Sequence, residues 1–301
     1  MTNLQPSNLP TFKLGLIGYP VSHSLSPKIQ NAALAACELD GDYSLFPIPP
    51  DDIQGLRDLL ARVRSSEITG LNVTIPHKQN VIPLLDELTS TAQSIGAVNV
   101  IYMKDGKLIG DNTDAQGFLS DLKKFMAGAP SPVFWDDVGS VREKSALILG
   151  AGGSARSVVY ALYNDGWDVA VNARRIEQAE QLVSQFKGVK ASNLNFEMLP
   201  PFNKLKITLS NFQLIVNTTP VGMTPKINQS PLPRNVSPSK YTMIYDLVYN
   251  PRETKLVRNA RAKGNHATTG LGMLIEQAAL GFAIWTGRIP PLEILYQAVQ
   301  E

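Results

Sequence analysis

The side chains of this chain best suited to chemistry gather where apolar runs end. Ala146-Leu147-Ile148-Leu149 stops at Gly150-Ala151-Gly152-Gly153-Ser154-Ala155, and residues 157–163 continue with helical spacing. Gly150 allows a sharp turn, Gly152 lets a pyrophosphate approach the backbone, and Ala155 is small enough for close packing of helix on strand. Free N–H groups at the start of the helix would face the anion. Glycine turns between strand and helix also occur without a ligand, so the flanking pattern decides. Asp168-Val169-Ala170-Val171-Asn172 follows as a second strand and completes a βαβ unit.

The tip of that second strand sets the cofactor type. A site for NAD places an acidic side chain on the ribose 2′-hydroxyl, whereas a site for NADP has cations there. The tip reads Asn172-Ala173-Arg174-Arg175, and the first carboxylate, Glu177, lies beyond the arginines. Two arginines on a loop can simply be solvated. A guanidinium also stacks on adenine and pairs with phosphate oxygens, and a 2′-phosphate clamp for NADP(H) is the preferred reading.

Two further strand ends, near the front of the chain, carry more polar groups than packing needs. Ser22, His23, Ser24 and Ser26 follow the first strand, and Asn72, Thr74, His77 and Lys78 follow the third. Ligands of open α/β sheets sit outside the carboxyl ends of the strands. Hydroxyls, an amide and a cation there suit a small polyhydroxylated acid. Taken singly, a serine can cap a helix, Asn72 and Thr74 can shape a turn, and Lys78 can be an ordinary solvated lysine. Neither His23 nor His77 is assigned a role. In Gly110-Asp111-Asn112-Thr113-Asp114, capping of the helix that begins near Ala115 explains one carboxylate better than two.

These clusters need two α/β domains to position them. A length of 301 residues suits that number, and 44% hydrophobic with 18% charged residues describes an ordinary globular chain. A net charge of +2 with no basic run gives nucleic acid no surface, and no apolar run reaches the length of a membrane span. Cys37 is the single cysteine, so an internal disulfide and a cysteine zinc site are excluded, and the scattered histidines offer no metal-ligand spacing. The first dozen residues lack the pattern of a signal peptide, and the expected location is the cytoplasm or an organelle matrix.

Strands are expected at 14–18, 43–48 and 70–75, and helices at 28–39, with Ser26 as N-cap and Pro27 in the first turn, and at 52–64. Residues 95–101 read as a small-residue turn entering a strand, and Lys104-Asp105-Gly106-Lys107 as a hairpin turn. Further strands fall at 214–217 and 242–247, and helices at 254–263, 273–286 and 291–300, with Ala267-Thr268-Thr269 leading to Gly270.

The motifs Asn72-Val73-Thr74-Ile75-Pro76-His77-Lys78, Gly96-Ala97-Val98-Asn99, Gly110-Asp111-Asn112-Thr113-Asp114 and the Gly150 turn stand in the order and spacing of the shikimate dehydrogenase family. So do Asn217-Thr218-Thr219-Pro220-Val221-Gly222-Met223 and Gly270-Leu271-Gly272-Met273-Leu274-Ile275-Glu276-Gln277-Ala278-Ala279. The chain resembles that family from about residue 13 to its end. The resemblance implies a substrate domain at 1–116 completed by 271–301, a Rossmann NADP domain at 117–270, and a hinge around a cleft. It implies reversible hydride transfer between NADP(H) and the pair 3-dehydroshikimate and shikimate, on the chorismate route to aromatic amino acids. Carried over from the family, Ser24 and Ser26 hold the substrate carboxylate with Tyr249 nearby. Asn72, Thr74, Asn99 and Gln277 bind its hydroxyls, and Lys78 and Asp114 form the catalytic pair. The cofactor residues are Gly150, Ala151, Gly152, Gly153, Ser154, Ala155, Ala173, Arg174, Arg175, Leu247, Gly270 and the loop Asn217, Thr218, Thr219, Pro220, Val221, Gly222 and Met223. The expected partner is a small-molecule substrate, with neither nucleic acid nor membrane, for a monomer or homodimer.

Where the family commonly has Asn-Arg-Thr, this chain has Ala173-Arg174-Arg175, which exchanges an amide for a cation. Segments 128–144 and 187–211 are longer than the family's. Two rivals are an enzyme that also takes quinate or NAD, and a non-catalytic protein that senses NADP on the same fold. Retention of Lys78 and Asp114 argues against the second.

Overall fold

The computed structural model describes residues 11–130, 143–192, 209, 212–232, 236 and 238–300. Most of the two expanded segments noted above lies outside them. The chain divides into two compact units, Met1–Thr113 with Ile275–Glu301, and Asp114–Leu274. These boundaries lie a few residues from the 116/117 and 270/271 breaks expected from the sequence.

The first unit is built on β1 (Phe12–Gly18), β2 (Gly41–Pro47), β3 (Gly70–Val73), β4 (Glu87–Leu88), β5 (Val100–Lys104) and β6 (Lys107–Asp111). They form one sheet in the order β2-β1-β3-β5-β6-β4. β1 runs parallel to β2 and β3, and its near-continuous burial is that of a strand covered on both faces. β3, β5 and β6 pair antiparallel, and Asp105 and Gly106 make the β5–β6 turn with φ of 49° and 76°. Glycine at the second of these positions is what such a hairpin turn asks for.

Helices α1 (Ser26–Ala36), α2 (Ile53–Arg64) and α3 (Ser90–Ile95) belong to the same unit. α2 buries Leu56, Leu59, Leu60 and Val63, the i, i+3, i+4, i+7 stripe of an amphipathic helix, and Asp52 caps it by accepting from Gly55 N–H. α1 starts at Ser26, earlier than the expected residue 28, and Leu25 rather than Ser26 is its N-cap. The Ser24 hydroxyl lies 3.2 Å from the Ser26 N–H and accepts it, so the capping group comes from outside the helix.

The second unit holds β7 (Ser145–Leu149), β8 (Asp168–Asn172), β9 (Lys190–Ser192), β10 (Leu214–Asn217), β11 (Met243–Asp246) and β12 (Ala267–Thr269). All neighbours are parallel, in the order β12-β11-β10-β7-β8-β9. This is the doubly wound dinucleotide sheet, whose order reverses between β7 and β10. Its helices are α4 (Asp114–Ala127), α5 (Gly153–Asn164), α6 (Ile176–Val183) and α7 (Lys255–Arg261). On α4, Phe118 meets the Tyr245 ring edge-to-face at 5.2 Å, and the Tyr245 hydroxyl donates to the Asp121 carboxylate at 2.5 Å. Those two contacts fix α4, and therefore its first residue, Asp114, against the sheet.

The unit boundary falls within α8 (Leu271–Thr286), and α9 (Leu292–Ala298) follows it. In the first unit Trp285 lies over Gly70, where an added Cβ would collide with the indole, and donates from Nε1 to Ile101 O at 3.2 Å. Gln30 on α1 donates to Ala278 O at 3.1 Å. Buried polar groups are stable only when partnered, so these bonds seat the end of the chain on the first sheet.

Candidate active site

In the first unit the strand ends carry a chain of buried amides. Asn72, at the end of β3, accepts from the Tyr43 hydroxyl at 2.7 Å and donates to Asn99 O at 3.1 Å. Asn99 donates from Nδ2 to Gln277 Oε1 at 3.1 Å and to Thr113 Oγ1 at 3.0 Å, and its Oδ1 accepts from the Thr113 N–H at 2.8 Å. Thr113 in turn donates to Gln277 O at 3.1 Å. Asn72, Asn99 and Gln277 are all buried. A connected network of this kind fixes each amide's rotamer, which is what selecting one hydroxyl among several requires.

Lys78 lies in the turn beyond β3, and its carbonyl accepts from the Val98 N–H at 2.8 Å, one residue before Asn99. The residue is 8% exposed, unusual for a lysine, and the solvated alternative therefore fails. Thr74 is half-buried against β1, where a Cβ on Gly18 would collide with its methyl. Ser24 donates to Ser26 Oγ at 3.1 Å in the adjacent turn after β1. The structure thus joins Asn72, Asn99 and Gln277 directly, and brings Lys78 and Thr74 to the same sheet end. His77 is a buried structural side chain, its Nε2 being 2.7 Å from Ile48 O.

In the second unit the glycine turn lies at the reversal of strand order. Gly150 has φ +115°, and an added Cβ would come within 2.6 Å of Thr218 Oγ1 at the end of β10. The Thr218 hydroxyl donates to Leu149 O at 2.8 Å, and Gly150 N–H donates to Asn172 O at 2.7 Å. These bonds hold the ends of β7, β8 and β10 together. Nothing stands within 4 Å of the space a Cβ on Gly152 would fill, so a phosphate can reach the backbone of α5. Ala173 is buried, whereas Arg174 and Arg175 are exposed and make no ion pair among the described residues. An open backbone cradle flanked by two uncommitted cations fits a phosphorylated dinucleotide. Gly270 packs against Leu247, where an added Cβ would collide with the carbonyl, and Tyr249 is half-buried on the same loop as Leu247.

A carboxylate that sequence reasoning missed ties two of these loops. Asp246, at the end of β11, accepts from Asn217 Nδ2 at 2.8 Å and Val248 N–H at 3.1 Å, and its other oxygen accepts from the Thr254 hydroxyl at 2.6 Å. Asn217 then accepts from the N–H and hydroxyl of Thr219 at 3.0 and 2.7 Å. Burial pushes the Asp246 carboxyl up to about 6, and its three hydrogen bonds pull it back only in part. The folded state therefore holds a proton here that the unfolded chain has released between pH about 4 and about 6. Stability should fall by about 3 kcal/mol as pH rises across that window. Urea unfolding at pH 4.5 and 7 measures this for the wild type and Asp246→Asn. The slope is expected to flatten in the variant, and equal slopes in the two proteins would refute the assignment.

Tyr43 and Thr113 were also not anticipated as neighbours of the amides. Their partners are 29 residues away for Tyr43 and 164 for the Thr113 hydroxyl bond to Gln277, and no local pattern announces such pairs. Among the described residues no group of His, Cys, Asp and Glu could hold a metal, and no helix is long and apolar enough to cross a membrane.

Comparison with known proteins agrees with this layout. Residues 16–101 match the family model for the shikimate dehydrogenase substrate-binding domain, 135–262 that for shikimate/quinate 5-dehydrogenase, and 270–300 that for the shikimate 5′-dehydrogenase C-terminal domain. The chain is 39% identical over 285 residues to the shikimate dehydrogenase (NADP(+)) of Carboxydothermus hydrogenoformans, covering 95% of each. It is 39% identical over 292 residues to that of Methanopyrus kandleri, covering 96% of this chain and 94% of the relative. The crystal structure of shikimate 5-dehydrogenase from Thermus thermophilus, in complex with NADP(H) and shikimate, superposes with a TM-score of 0.79 at 36% identity, covering 96% of this chain and 98% of that one. With both sheets, the glycine turn and the similarity all running along nearly its whole length, the chain belongs to the shikimate dehydrogenase family.

Proposed function

We propose that this chain interconverts 3-dehydroshikimate and shikimate with NADP(H), using Lys78 as the acid/base and Asp114 as its partner carboxylate. The observation that carries this reading is the buried amide chain of Asn72, Asn99 and Gln277 at the same sheet end as a buried lysine. Oriented amides suit a ring bearing several hydroxyls, and a lysine there can serve the oxygen that changes its protonation. NADPH, when bound, supplies the hydride. The carbonyl oxygen then takes on alkoxide character, and a protonated Lys78 within hydrogen-bond reach gives it a proton. In the reverse direction neutral Lys78 removes the hydroxyl proton. Asp114 orients the ammonium, and Asn72, Thr74, Asn99 and Gln277 hold the ring hydroxyls. Ser24 and Ser26, with Tyr249, take the carboxylate. Gly150, Gly152 and the N-terminus of α5 receive the pyrophosphate, Arg174 and Arg175 the 2′-phosphate, and the Asn217–Met223 loop with Leu247 and Gly270 the nicotinamide end. The reading places the enzyme in the cytoplasm as a monomer or homodimer, in keeping with a single cysteine that can form no internal disulfide.

Deuterium carried on the nicotinamide C4 of the reduced cofactor tests the hydride step. Mass spectrometry of the product formed from 3-dehydroshikimate should show the label on the carbon that was the ketone. Label appearing in solvent instead would rule out direct transfer.

A further inference from the structure

Arg156 occupies the first turns of α5, its N–H donating to Gly152 O at 3.1 Å. The residue is 5% exposed, and Nε is buried without any hydrogen-bond partner. Among the described residues it forms no ion pair, and it is the one charged side chain with such an orphaned atom. Burial, with no acidic group acting on it, pushes the guanidinium below its usual range.

This is an unfavourable place for a cation on two counts. A helix N-terminus already carries the positive end of the backbone dipole, and a buried donor left without a partner loses its hydration for nothing. Side chains on a helix lean toward its N-terminus, so the Cα–Cβ bond of Arg156 is tilted toward the turn at Gly152. Its sequence neighbours Ala155, Val158 and Val159 are fully buried, which leaves it little freedom to swing toward solvent. All of these costs are removed together by an anion seated at that turn.

We propose that Arg156 is a binding residue for the cofactor's pyrophosphate, supplying from within the helix the counter-charge that the backbone N–H groups supply only in part. The inference rests on the dinucleotide reading of the Gly150 turn. It divides the work between two sets of cations. Arg156 acts on a group that NADP and NAD share, whereas Arg174 and Arg175 act on the phosphate that distinguishes them. Arg156 therefore sets affinity for the dinucleotide without setting the preference between the two forms.

Isothermal titration of Arg156→Gln with NADPH, NADH and adenosine 2′-monophosphate separates these roles. Both dinucleotides should bind about tenfold or more weaker, by the same factor, while the monophosphate, which has no pyrophosphate, keeps its wild-type affinity. Unchanged dinucleotide affinity, or weakening of NADPH alone, would overturn the assignment. Should the glutamine variant fail to fold, Arg156→Lys keeps the charge but not the planar fork. Both dinucleotides should then weaken several-fold, and the same two outcomes count against it. A wild-type protein that binds no NADPH would contradict the dinucleotide reading itself rather than the role of Arg156.

Discussion

Replacement of Lys78 by alanine is expected to lower kcat by about 10²-fold or more, the usual contribution of a positioned acid/base, with the Michaelis constant for shikimate less affected. The backbone around Lys78 is held independently of its side chain. Its carbonyl accepts from Val98 N–H at 2.8 Å, and Val81 N–H donates to His77 O at 3.1 Å in the same turn. The substitution therefore removes the ammonium and leaves the turn in place, so the loss should appear in turnover rather than in melting temperature. Steady-state kinetics with shikimate and NADP, alongside a thermal melt, provide the check. A folded Lys78→Ala enzyme with near-normal kcat would remove Lys78 from the mechanism.

The largest effect expected on the cofactor side belongs to the arginine pair. With both Arg174 and Arg175 replaced by alanine, the Michaelis constant for NADP should rise by about 10²-fold, while that for NAD stays near its wild-type value. Charge-assisted hydrogen bonds to a phosphate contribute roughly 1.5–3 kcal/mol, which corresponds to factors of about ten to a hundred and more. Both side chains are exposed at the tip of β8, so truncating them should leave the fold intact. The readout is the NADP to NAD ratio of kcat/KM. Equal losses for the two dinucleotides would mean that the pair does not read the 2′-phosphate.

What could be read from the sequence was what the backbone decides locally. The Gly150 turn was legible because only glycine adopts φ +115° without strain, and β8 falls at Asp168–Asn172, where the second strand of the βαβ unit was expected. The Asp105-Gly106 hairpin followed from the same kind of rule. Helix α1 was misjudged at its start because the capping group is the Ser24 hydroxyl, two residues before the first helical position, and spacing does not say which serine turns back on the chain. The polar clusters after β1 and β3 were visible as compositions, but the bonds that give them shape were not. Asn99 meets Gln277 across 178 residues of chain, and that pairing depends on α8 returning to the first sheet. Asp246 and Arg156 passed unnoticed for a related reason. A carboxylate in a strand and an arginine in a helix look unremarkable until burial shows that one holds two loops and the other lacks a counter-charge.

Oxidation of shikimate by this chain should reduce NADP, and absorbance at 340 nm follows that reduction. Purified protein would be supplied with shikimate or quinate against NADP or NAD, in every combination. Reduction with shikimate and NADP, well above the other pairs, is the predicted result. Comparable rates with NAD would contradict the 2′-phosphate role of Arg174 and Arg175, comparable rates with quinate would identify the broader enzyme named as a rival, and silence in every combination would contradict catalysis itself.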